Sequence, residues 1–113
     1  MIRSTDSVSP YDWGEGAKGW RWCDTPGLSV IREEMPPGTA ETRHRHAKAH
    51  QVFHALTGAL TLEMEGTVHT LLPDTALNVP PGTAHQALNL GPEPCTFLVI
   101  SAPSTRDDGE ELA

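Results

Sequence analysis

His44-Arg45-His46 carries the first sign of chemistry in this 113-residue chain. On a strand, residues i and i+2 point to the same face. Both imidazoles then aim into one space, and neutral imidazole is the commonest protein ligand for zinc, iron, nickel and copper. An isolated H-x-H is weak evidence of a metal site, so its surroundings decide its weight. Gly38 stands upstream, and Gln51 and Gly58 stand downstream, giving G-x5-H-x-H-x4-Q-x6-G. A second run starts at Asp74 and contains Pro80, Gly82, His85 and Asn89, giving D-x5-P-x-G-x2-H-x3-N.

The two runs resemble the paired signature motifs of the cupin family, G-x5-H-x-H-x3,4-E-x6-G and G-x5-P-x-G-x2-H-x3-N. There are two departures. Gln51 stands at the usual Glu, and Asp74 at the usual Gly. Fifteen residues separate Gly58 from Asp74, the short spacing of small single-domain bacterial cupins. The resemblance implies a double-stranded β-helix, or jelly roll, with both motifs lining one barrel mouth. It also implies metal ligands at His44, His46, Gln51 and His85, with Asn89 as a supporting or pocket residue.

Three imidazoles and a carbonyl oxygen would leave one or two positions for water, substrate or dioxygen. An amide at position 51 neither offsets a divalent charge nor takes a proton, as a carboxylate would. The shorter family spacing would put His50 in the fourth position instead. Gln51 is favoured because it keeps the x6 spacing to Gly58. His54 and His69 are expected at the surface, and Phe53 and Phe97 as core or pocket walls.

The elements that must hold these residues read as strands. Leu28–Met35 is apolar and stops at Pro36-Pro37-Gly38. Leu60, Leu62 and Met64 alternate, Glu65-Gly66 turns the chain, and Thr67–Leu72 returns. Ala76–Val79, the run through His85, Ala87 and Asn89, and Cys95–Ile100 complete the set. The stretch Ala47–Leu56 is ambiguous. Its composition favours a helix that would line up His46, His50 and His54, whereas the resemblance implies a loop and a strand, the reading preferred here. Short strands divided by turns predict an all-β sandwich or barrel in one domain.

The boundaries expected are an aromatic-rich extension or edge strand at 1–27, a barrel at 28–103 and an acidic, disordered tail at 104–113. Four of the six aromatics, Tyr11, Trp13, Trp20 and Trp22, fall in the extension. They suit either a covering strand or a lid or dimer contact. A net charge of −7 argues against nucleic acid as a partner. With no apolar leader or membrane-spanning run, a cytoplasmic protein with reduced Cys23 and Cys95 is expected. The resemblance further implies a homodimer and one divalent transition metal ion: iron, nickel, manganese or zinc. The expected function is a mononuclear metal enzyme of dioxygenase or isomerase type acting on a small organic molecule. The alternative is a non-catalytic binding or sensor barrel.

Overall fold

The computed structural model describes residues 1–112. Eleven strands make the fold, and no helix occurs among the described residues. They are β1 (Tyr11–Trp13), β2 (Ala17–Asp24), β3 (Ser29–Met35), β4 (His44–His46), β5 (His50–Thr57) and β6 (Leu60–Met64). β7 (Thr67–Leu71), β8 (Ala76–Val79), β9 (His85–Leu88), β10 (Cys95–Ala102) and β11 (Gly109–Glu111) follow. Two antiparallel sheets form, in the orders β1-β2-β3-β10-β5-β8 and β11-β4-β9-β6-β7. This is the expected all-β jelly roll. No helix is long and apolar enough to cross a membrane.

The core lies between the two sheets. Leu60 and Leu62 of β6 and Ala87 of β9 meet Met35, Phe53, Ala55, Phe97 and Val99 of the six-stranded sheet. Along β5, β6 and β10 these residues recur at a spacing of two. Phe97 is fully enclosed and sits 6.2 Å, centroid to centroid, from Phe53. Burying a ring of this size contributes roughly 1.5–3 kcal/mol.

Two motif positions have plain backbone reasons. Gly58 has φ +72°, and a Cβ there would come within 2.6 Å of the Pro94 carbonyl oxygen. Asp74 has φ +69°, the left-handed region that glycine enters freely and aspartate tolerates. The family glycine can therefore be Asp here without a change of turn.

The ambiguous stretch resolves into a turn at 47–49 followed by β5, so His46, His50 and His54 share no helix face. The acidic tail corrects the expectation of disorder. β11 pairs along the whole of β4, and Leu112 N–H donates to the Arg43 carbonyl. The Asp108 carboxylate accepts from the N–H groups of Ala47, Lys48 and Ala49 at 2.9–3.2 Å. Glu110 meets Arg45 at 2.9 Å. A run of like charges suggests a solvated end, but two of its four acids, Asp108 and Glu110, have partners of their own. The aromatic extension supplies β1, an edge strand of the larger sheet, and β2 beside it.

Candidate metal centre

Two short strands bring the three histidines together. His44 and His46 lie one pleat apart on β4, and His44 is directly paired with His85 of β9. Ring centroids are 4.5 Å apart for His44–His85, 4.8 Å for His44–His46 and 5.9 Å for His46–His85. One ring nitrogen from each falls within 4.8 Å of the others.

Backbone carbonyls fix which nitrogen is free. Nδ1–H of His44 donates to Thr42 O at 2.7 Å, that of His85 to Thr83 O at 2.9 Å, and that of His46 to Asp108 O at 3.2 Å. With Nδ1 carrying the proton, each ring presents Nε2 as a lone-pair donor, the second-layer arrangement common to metal-binding histidines. Burial, the largest cause, pushes His85 down to about 4. His46 is lowered by burial and then by His44. Both are neutral at pH 7, the form that binds a metal.

β5 brings a further side chain to the same cavity. Gln51 points inward and is 4% exposed, while its neighbour His50 is exposed. Gln51 Nε2 donates to Ser101 Oγ at 3.1 Å, and the residue lines the cavity shared with His44 and His46. Gln51 Oε1 and His85 Nε2 are both buried without a hydrogen-bond partner among the described residues. A buried polar atom left unpaired costs roughly 1–3 kcal/mol. Two such atoms beside two further imidazoles fit a divalent transition metal ion, so the residues present pass the test for one. His50 lies on the wrong parity of the strand for this site.

Beside the group is a cavity of about 190 Å³, lined by His44, His46, Gln51, Phe53 and Val99 among others. Phe53 is a wall, edge-on to His85 at 5.7 Å. Phe97 packs behind it in the core. A hollow of about 530 Å³ on the outer side, beside Arg45 and Asp108, is larger but does not include the triad. His54 and His69 stay outside, and His54 Nε2 lies 3.2 Å from Asp74. Asn89 does not line the cavity. Its amide donates to the carbonyls of Met35 and Glu93, and its Oδ1 accepts from Gly91 N–H. It is a clasp between strands, which corrects its expected place at the pocket.

Two lining residues, Glu33 and Glu41, escaped the sequence reading. Burial pushes Glu33 up to about 8. Burial also pushes Glu41 up to about 8, reinforced by Glu33 and opposed by the Ala87 N–H bond. Glu33 did leave a trace, as an acid in step with Ser29, Ile31 and Met35 on the inner face of β3. Glu41, in a loop, left none.

The cupin-domain profile matches residues 31–101, well over half of the chain. The chain belongs to the cupin family. Among solved structures, it is similar to KdgF from Halomonas sp., with a TM-score of 0.85 and 25% identity over 95% of this cupin and 98% of that chain. A sugar phosphate isomerase of the cupin superfamily from Silicibacter pomeroyi aligns with a TM-score of 0.82 and 23% identity, over 92% and 76% of the two chains. The polyketide cyclase RemF from Streptomyces resistomycificus gives 0.84 and 17%, over 100% and 87%. The last two likenesses concern the fold alone. No curated protein matches this cupin by sequence.

Proposed function

We propose that this cupin is a mononuclear metal-dependent enzyme of dioxygenase or isomerase type, acting on a small organic molecule. One observation carries the reading: His85 Nε2 and Gln51 Oε1 lie buried and unpartnered beside His44 and His46, at the edge of a cavity. A divalent transition ion held by these four residues would polarise and orient a substrate oxygen. The protein's part is to hold three imidazoles by their Nδ1–H bonds and to supply an amide that adds no charge of its own. Phe53 and Val99 keep one side of the cavity apolar. Its volume admits about six waters or one small organic molecule. Catalytic members of the fold, a sugar phosphate isomerase and a polyketide cyclase by name, are in keeping with this reading.

Elemental analysis of protein purified without a nickel column tests it. About one equivalent of a transition metal is expected, lost in His44→Ala and His85→Ala and kept in His69→Ala. Equal retention in all three variants would refute the site. If the wild type holds no metal and takes up none on titration, the barrel is a binding module.

A further inference from the structure

Glu33 stands at the middle of β3, between inward-facing Ile31 and Met35, and directly opposite Phe97 of β10, which is fully buried. A carboxyl on such a face is costly unless it is paired. Burial alone sets its environment: among the described residues no hydrogen bond and no opposing charge enters. Among the described residues it makes no hydrogen bond or ion pair that would give it a structural role. Its open side is the cavity that it shares with His44, His46 and Gln51.

Glu41, the other acid of the cavity, is committed elsewhere. Its Oε2 accepts from Ala87 N–H at 2.7 Å, and its Oε1 lies 3.7 Å from His44 Nδ1. Glu33 is the free one. Gly19 separates it from Tyr11 in one cross-strand row. The Tyr11 ring lies over Gly19, so close that a Cβ there would meet its Oη at 2.6 Å. Tyr11 thus stands on the side of Glu33 away from Phe97, and the cavity is the open space that Glu33 lines.

We propose that Glu33 is the proton carrier of the cavity, moving a proton between adjacent carbons of a small uncharged hydroxy-carbonyl substrate. The proposal rests on the metal-site reading above and selects its isomerase branch. The substrate class follows from the lining: two carboxyls and, among the described lining residues, no lysine or arginine to pair with a carboxylate or phosphate. The step balances without oxidant or reductant. As carboxylate, Glu33 takes a proton from the carbinol carbon. That C–H pair becomes the new C=C bond, and the carbonyl π pair moves to its oxygen, which faces the histidines. Glu33 then returns the proton to the former carbonyl carbon, while the hydroxyl proton passes to the oxygen that had gained charge. The carbonyl has moved by one carbon. A carboxyl held near neutrality by burial is suited to both halves of the transfer.

The test uses zinc- or manganese-loaded wild type, Glu33→Gln and the outer-face control Glu34→Gln. Metal per chain is measured first. Dihydroxyacetone, hydroxyacetone and acetoin are then followed in D2O by proton NMR for loss of C–H signal. Glu33→Gln is expected to hold the wild-type complement of metal and to lose exchange by about 10²–10⁴-fold. Glu34→Gln keeps the wild-type rate. A second readout needs no turnover: metal-free wild type at pH 6.5 should show a carboxylic-acid C=O infrared band that is diminished in Glu33→Gln. Exchange at the wild-type rate in Glu33→Gln, or no exchange above buffer by metal-loaded wild type on all three probes, overturns the proposal and leaves the metal site standing. An infrared band unchanged in Glu33→Gln also overturns it. A wild type that takes up no metal removes the site reading, and the proposal with it.

Discussion

Raising the pH of the metal-free protein from 6.5 to 8 should destabilise it. Glu33 and Glu41 each hold a pKa of about 8 in the folded protein against an ordinary value of 4.5. A raised pKa means that the folded state binds protons the unfolded chain has released. The stabilisation is full below about pH 4.5 and is lost as pH rises through 8. His46 and His85 are shifted the other way, so they act mainly below their ordinary 6.5 and oppose the carboxyl slope only at the start of this window. Tyr11, pushed up to about 12, and Cys95, pushed up to about 11, lie above it. For one group with a folded pKa of about 8, linkage gives about 1.7 kcal/mol between pH 6.5 and 8. Water in the cavity should reduce that to about 0.8 kcal/mol. For a domain of this size the result is about 3 °C in Tm per carboxyl. Thermal melts followed by circular dichroism, in chelator at half-unit pH steps, provide the assay. Wild type should lose about 6 °C across the window, and Glu33→Gln about half of that. A wild-type midpoint that stays level or rises, or a Glu33→Gln slope equal to the wild-type slope, would refute the reasoning.

Asp108→Ala touches no ligand but removes the acceptor of three amides and loosens the carbonyl that orients His46. Metal affinity should fall about 10–100-fold, measured by competition with a chromogenic chelator, while neighbouring Asp107→Ala leaves it unchanged. Gly58→Ala should cost on the order of 2 kcal/mol in urea unfolding, because a Cβ at 2.6 Å from Pro94 O meets backbone that cannot move aside. Phe97→Ala should cost about 3–5 kcal/mol, read in the same way, since the ring is fully enclosed. In native protein a thiol reagent should label half-buried Cys23 and spare Cys95, which is fully buried; equal labelling would contradict the packing.

The barrel and the imidazole group were legible because both are written in short-range spacing. H-x-H needs only the two-residue period of a strand, and P-x-G-x2-H needs only a turn running into one. Gln51 could be preferred to His50 for the same reason, since parity along β5 sends one inward and the other out. What escaped depends on partners distant in the chain. Glu33 becomes a cavity residue through its place opposite Gly19 and Phe97, and nothing local to 29–35 reveals either neighbour. Asn89 has motif spacing, yet its bonds to Met35, Glu93 and Gly91 make it a clasp. The tail looked like a charge run until Arg45 and the 47–49 amides supplied its partners. Composition counts charges but cannot see who faces them.

The pairing of β4 with β11 has a consequence for how the protein is made. β4 touches β9 at a single pair, His44 with His85, but meets β11 along all three of its residues. During synthesis β4 leaves the ribosome some sixty residues ahead of the strand that secures it. A nascent chain can close its apolar core from residues up to Ala102 while His44 and His46 still lack that support. Full support of the imidazole group is therefore a late event, following the emergence of residues 108–111.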